Sequence, residues 1–234
     1  MDEKNLKRIF QTLCHDTKGA FGASASLTHL LEQEYSSVLD ARAMKWLSLI
    51  AAESENALHK LTAFREYAQL FDCDYQFSTC NLNEVLARCV NEAQTQEAAN
   101  SSQSLIFDCD SMLLIHSSPE LLSMFFKEVF VNAIEHAQLP QDLDKPPMLK
   151  CKVWYRNQGG YHVITCEDNG HPISPDKFAN IQQPFQSSEQ SSSSHSGMGF
   201  SKLHRISELL QAYMDVSSGE APYTGLRVSL SLKP

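Results

Sequence analysis

Two stretches of this chain place apolar and small residues in alternating steps of four and three, and this pattern restricts the possible folds most tightly. Leu6, Phe10, Leu13, Thr17, Ala20, Ser24, Leu27 and Leu31 form the first series; Ala43, Leu47, Ile50, Ser54, Ala57, Leu61, Phe64 and Ala68 form the second. Such spacing keeps a single stripe on one side of an α-helix, as a heptad seam does. It predicts amphipathic helices over 3–34 and 41–71. The link over 34–40 is short, so the two must run antiparallel as a hairpin. One hairpin cannot cover both of its seams, whereas two copies bury them together in a four-helix bundle. A homodimer through the hairpin is therefore expected.

The pattern changes after Phe71. Residues 76–82 and 104–108 read as short strands around a helix at 82–99, and Asn100-Ser101-Ser102-Gln103 as a polar turn. Ser118-Pro119-Glu120 opens a long helix to about residue 138, with proline at a first-turn position and the acid favourable to the helix dipole. Residues 149–156 and 161–167 alternate like a hairpin across Asn157-Gln158-Gly159-Gly160. A helix at 199–212 and strands at 213–217 and 225–232 close the chain as a meander. The reading is an α+β protein with a helical hairpin over 1–72 and a layered α/β sandwich over 73–234.

Composition excludes several functions. Apolar content of 42% and charged content of 20% belong to a globular chain, and a net charge of −9 leaves no basic field for nucleic acid or an anionic membrane. The seven cysteines are odd in number and include no Cys-x-x-Cys pair, so they read as reduced thiols. No N-terminal apolar leader and no run of about 18 apolar residues is visible, which predicts no membrane segment and a cytoplasmic location. Any sensing would then come from a separate protein or from a segment outside the given sequence. The serine-rich stretch 187–196 is too polar to pack and reads as a loop.

The candidate chemistry lies in four places. Glu128 and Asn132 are four apart on the apolar 118–138 helix, so they share one face and can point together into a cavity that holds a metal and a water, while Phe125, Val129 and Ile134 build the core. Asp168 ends a strand, from where its carboxylate can accept a hydrogen bond from an exocyclic amine; Gly170 allows a tight turn beside it. Gly197-Met198-Gly199 precedes a helix, and amides free of side-chain bulk at a positive helix end suit a phosphate. In Leu13-Cys14-His15-Asp16-Thr17-Lys18, His15 falls about 200° around the helix from Leu13, on the outer face, where an imidazole with an acidic neighbour is a competent nucleophile.

In this order and at these separations the motifs resemble the sensor histidine kinase catalytic core. The helix from Phe126 to His136, the Glu167-Asp168-Asn169-Gly170 turn, Pro184-Phe185-Gln186 and Gly197-Met198-Gly199 are similar to its nucleotide-binding boxes; Leu13 to Lys18 is similar to its phosphoacceptor box. The likeness spans about residues 6–232. It implies a dimerisation and phosphoacceptor hairpin followed by a GHKL-type ATP-binding domain. It further implies ATP and Mg2+ as ligands, Asn132 and Glu128 at the metal, and His136, Asp168, Gly170, Gly197 and Gly199 around the nucleotide. His15 would accept the γ-phosphoryl group with Glu128 or Asp16 assisting, and a response-regulator receiver domain would take it next.

The chain departs from the family pattern in four places. Ala20 stands where the acceptor box has proline, Gly19 where a dephosphorylating Thr or Asn is usual, Pro172 in place of the second box glycine, and His195 at the start of the later glycine box. A histidine phosphotransfer adaptor with a degenerate ATP domain is the alternative expectation.

Overall fold

A computed structural model describes residues 3–71, 74–97, 103–108, 113–136, 149–170 and 198–234. The chain divides into two compact units, one holding the N-terminal hairpin and the other holding residues 73–183 and 199–234.

The hairpin pairs α1 (Glu3–Tyr35) with α2 (Ala41–Gln69). Ser54 donates to Ser24 and Ser48 donates to Glu32, so the position on α2 falls as that on α1 rises: the helices are antiparallel. Asp40 caps α2 by accepting from the Ala43 amide at 2.7 Å, one of the orphan donors of that helix end. α1 runs unbroken through Gly19 and Gly22, where an added Cβ would meet nothing within 4 Å, so neither glycine is required by crowding.

Within one chain the hairpin buries small residues, Cys14, Ala25, Thr28, Ala51, Ser54 and Ala63, and leaves Leu13, Leu27, Leu30, Leu31, Leu49 and Ile50 exposed. Leu13, Leu27, Leu31 and Ile50 of the repeat thus stay exposed within one chain, whereas Leu47, Leu61 and Phe64 are half-buried. His29 sits between Glu55 and Glu32 at 3.1 and 3.4 Å, and its hydrogen bond to Glu55, then that to Glu32, raises its pKa. A histidine pKa raised on folding adds stability that is complete below the unfolded value and is lost as pH climbs through the folded one. Melting temperature should therefore fall as pH rises above the ordinary histidine range, and His29→Gln should flatten that slope.

The second unit begins with β1 (Ser78–Asn81), which leads directly into α3 (Leu82–Glu97) and pairs antiparallel with β3 (Leu114–Ser117). The main sheet has the order β2-β4-β5-β7-β6, with β2 (Gln103–Asp108), β4 (Leu149–Gln158), β5 (Tyr161–Asp168), β6 (Tyr213–Ser218) and β7 (Leu226–Leu232). β2 lies parallel to β4, and the remaining neighbours are antiparallel. The closing strands do not form a simple meander, because β7 inserts between β5 and β6. Gly159 and Gly160 both have positive φ, +60° and +86°, which a two-residue turn twisted to match its strands requires.

Cys151, Val153, Ile164, Cys166, Asp168, Val228 and Leu230 share one buried face of the sheet. Helices supply its cover: α4 (Pro119–His136) packs against α3 and against α5 (Gly199–Leu209). The Ser118 hydroxyl caps α4 by accepting from the Leu121 amide, with Pro119 at the first helical position as its missing donor allows. Phe125, Phe126 and Phe130 are each at most 1% exposed, and the first two rings meet edge to face at 5.5 Å. Each such buried ring is worth roughly 1.5–3 kcal/mol, so this core fixes the helix that carries Glu128 and Asn132.

Candidate functional site

α4 turns Phe125, Val129 and Ala133 into the core, which leaves Glu128 and Asn132 one turn apart on an adjoining face. The N-terminus of α5 abuts that face at a glycine. A Cβ on Gly199 would lie 2.8 Å from Asn132 Oδ1, 2.9 Å from Glu128 Oε1 and 3.1 Å from Asn132 Nδ2. Three of the sequence-predicted residues thus meet in one corner, and only a residue without a side chain lets the helix end approach so closely.

Asn132 is buried, and its Nδ2 has no hydrogen-bond partner among the described residues. A buried amide left so is costly unless a ligand or water satisfies it. Lys202, on the first turn of α5, reaches Glu128 Oε2 with Nζ at 3.4 Å. Sequence reasoning missed this lysine; its position three residues after Gly199 was the available signal.

A second cluster forms around Asp168 at the end of β5. The carboxylate is 6% exposed and accepts from the Gly170 amide at 2.8 Å through Oδ1 and from the Leu226 amide at 3.1 Å through Oδ2. Desolvation by burial raises its pKa, against the lowering effect of these two amides. Gly225 donates its amide to the Asp168 carbonyl, and Thr224 donates its hydroxyl to the Gly170 carbonyl, both near 2.9 Å. A Cβ on Gly225 would overlap the Asp168 carboxylate. Cys151, paired with Asp168 in register, is buried beside it, and burial pushes its thiol pKa far up.

Thr224, Gly225 and Leu226 are therefore partners of Asp168 and Gly170 that sequence reasoning did not single out. Each carboxylate oxygen that accepts one amide keeps a further lone pair for a ligand amine. On the hairpin, His15 is 89% exposed and its Nδ1 lies 3.3 Å from Asp16 Oδ1. The Thr17 hydroxyl turns back to the Leu13 carbonyl and does not reach for the imidazole. Gly197, Pro172, His195, the Pro184 segment, the serine-rich stretch and the side chains of Ile134 and His136 lie outside the described residues.

Glu128, through its carboxylate, and Asn132, through Oδ1, offer the hard oxygen donors that Mg2+ prefers, so the side chains present fit such an ion, while the partnerless Nδ2 is a donor that suits an acceptor such as water or a phosphate oxygen. Among the described residues no three His, Cys, Asp or Glu side chains gather as a self-sufficient metal cage.

Solved histidine kinases share this fold. The mycobacterial sensor histidine kinase MprB superposes with a TM-score of 0.53 at 15% identity, over 68% of this chain and 99% of that one. The catalytic domain of histidine kinase ThkA gives 0.54 at 17%, over 68% and 95%. The Acinetobacter baumannii histidine kinase AdeS gives 0.54 at 12%, over 89% and 93%, a span that takes in most of both chains. The architecture is that of a histidine kinase catalytic core: long N-terminal helices, then an α+β ATP-binding domain. Residues 117–234 match the model of the histidine kinase-, DNA gyrase B- and HSP90-like ATPases, and the chain belongs to that family. Among curated proteins none matches the sequence. No helix among the described residues is long and apolar enough to cross a membrane.

Proposed function

We propose that this chain is an ATP-dependent protein-histidine kinase of two-component signalling. Residues 1–72 serve as the dimerisation and phosphoacceptor hairpin, and 73–234 as the ATP-binding catalytic domain. The observation that carries the reading is the meeting of Glu128, Asn132 and Gly199 at a helix N-terminus in a family of ATPases. Phosphoryl transfer asks little covalent chemistry of a protein; it needs the phosphates held and their charge offset, which amides at a helix end and hard oxygen donors supply.

In this reading Asp168 accepts the exocyclic amine of adenine, with Gly170 turning the chain against the ring, and Gly197, Gly199 and His136 line the phosphate end. Asn132 and Glu128 would hold Mg2+, which when bound neutralises charge on the β- and γ-phosphates. A neutral His15 ring nitrogen attacks the γ-phosphorus; an N–P bond forms, the bond to the bridging oxygen breaks, and ADP leaves with that electron pair. The proton on the other ring nitrogen is taken up by Glu128 or Asp16. The exposure of His15 supports this role, since a partner domain must reach it. The phosphoryl group then passes to an aspartate of a response-regulator receiver domain.

The exposed leucines of the hairpin support a homodimer, because a second copy would cover Leu13, Leu27 and Leu31. A cytoplasmic setting and a separate sensor protein complete the proposal.

Incubation with γ-labelled ATP and magnesium should give acid-labile label in the wild type and none in His15→Gln. Asn132→Ala should lose label and nucleotide binding together. A second reading, a non-catalytic histidine phosphotransfer adaptor, draws on one observation: both Asp168 oxygens already accept backbone amides. Acceptance of phosphate at His15 from a phosphorylated receiver, with no ATP bound by calorimetry, would establish that alternative.

A further inference from the structure

The face of the main sheet turned away from the helices is not a plain solvated surface. Side chains alternate along each strand, so Lys152, Trp154, Glu167 and Arg227 lie opposite the helix-covered face of Cys151, Val153, Asp168 and Val228. There they border a cavity of about 730 Å³, a size that suits a small organic ligand. The segment from Glu220 to Tyr223 forms its wall, and two backbone hydrogen bonds fix that segment, Gly219 N–H to the Gly225 carbonyl and Tyr223 N–H to the Glu220 carbonyl. Glu167 and Asp168 point to opposite sides of β5. The cavity therefore lies across the sheet from the Asp168 corner.

Its floor is built around a buried carboxylate. Glu167 is 6% exposed and accepts from Arg227 Nε on β7, while the register sets Lys152 beside it on β4. One carboxylate thus stands between two cations. An arginine held through Nε keeps both Nη groups of its planar fork for another acceptor, and among the described residues those of Arg227 donate to none. Arg156 adds a third cation, against which stand only Glu167 and Glu220, in a chain whose net charge is −9. A cationic excess within a cleft of an acidic protein draws anions to that cleft. The site also carries an apolar surface: Lys152 Nζ lies 5.5 Å from the centre of the Trp154 ring, so an anion paired with this ammonium comes to rest beside the indole.

We propose that this cavity is a second ligand site, separate from the nucleotide site, for a small organic anion that carries a flat ring. Arg227 and Lys152 take the carboxylate or phosphate, Glu167 orients the Arg227 fork, and Trp154 takes the ring.

The chain has two tryptophans, so Trp46→Phe leaves Trp154 as the sole indole reporter. In that background benzoate and phenyl phosphate should each change the emission saturably. Benzamide, which has the ring without the charge, and acetate, which has the charge without the ring, should each bind at least about fivefold more weakly than benzoate. Lys152→Met should weaken benzoate about fivefold or more, as should Arg227→Lys, which keeps the charge and loses the fork. Saturating ATP with magnesium should not displace benzoate.

Absence of a saturable response to both anions up to about 50 mM overturns the proposal. Benzamide or acetate binding as well as benzoate overturns it too, by removing the ligand class. Unchanged affinity in both variants places the probe elsewhere, and displacement by ATP places it in the nucleotide site; either result is fatal. A tetraglutamate peptide that outcompetes benzoate would make the face a docking surface for an acidic partner, which also overturns the small-molecule site. Thermal melts accompany each variant, and should Arg227→Lys not fold, Lys152→Met decides. None of these readouts uses phosphorylation of His15, so this site and the kinase reading stand or fall separately.

Discussion

Gly225→Ala should destabilise the protein by about 2–4 kcal/mol and abolish nucleotide binding. The added Cβ would occupy the space of the Asp168 carboxylate and approach the Gly170 amide to 2.9 Å. Neither neighbour can give way cheaply. Asp168 is buried and held through both oxygens by the Gly170 and Leu226 amides, and Gly225 itself donates to the Asp168 carbonyl. Swinging the carboxylate aside would leave those amides without their acceptors, at about 1–3 kcal/mol for each buried group so stranded. In a chain of this length each kcal/mol moves the midpoint by about 2–4 °C, so a thermal melt should fall by roughly 5–15 °C. A variant that melts like the wild type and still binds ATP would show that the Asp168 corner is less tightly closed than its hydrogen bonds require.

Gly199→Ala should divide its effects the other way. Here the new Cβ would meet the ends of two side chains, Asn132 at 2.8 Å and Glu128 at 2.9 Å, and side-chain ends can rotate away. At the first position of a helix the change from glycine recovers only part of the roughly 1 kcal/mol that it brings in a helix interior, which offsets some of the crowding. Stability should therefore change by no more than about 1 kcal/mol. Affinity for ATP with magnesium should drop at least about tenfold, because the displaced groups are the pair proposed to hold the ion and the methyl fills the approach to the helix-end amides. Calorimetric titration beside a thermal melt reads both quantities, and an unchanged affinity would remove Gly199 from the phosphate end.

These two glycines mark what local pattern can and cannot reveal. Gly199 was visible because it opens a helix four residues before Leu203, the first wholly buried leucine of that helix, and helix-end glycines have a chemical reading of their own. Gly225 was not, because its meaning depends on Asp168, and the bond from the Leu226 amide to that carboxylate joins residues 58 apart. The hairpin was legible because its repeat is long and its partner helix is near in sequence. The glycine turn at Gly159 and Gly160 and the Ser118-Pro119 helix start were legible because each is a rule about adjacent residues.

β3 was overlooked: it has only four residues, and its exposed and buried positions alternate too briefly to stand out. The insertion of β7 between β5 and β6 also went unread, since strand order is decided by distant pairings and each strand alone carries the same alternation. Lys202 escaped for a related reason. A lysine on an amphipathic helix is ordinary until the glutamate it touches, 74 positions earlier, is known.

The wide separation of Asp168 from Thr224, Gly225 and Leu226 has a consequence for synthesis. A ribosome-bound chain that has released Asp168 still lacks the segment that closes the corner around it, and that segment leads into the strand between β5 and β6. The sheet cannot complete its central pairing before residue 232 has emerged, so nascent chains stalled upstream of Thr224 should carry an unfinished Asp168 corner, whereas the hairpin at the other end needs only contacts within residues 3–69.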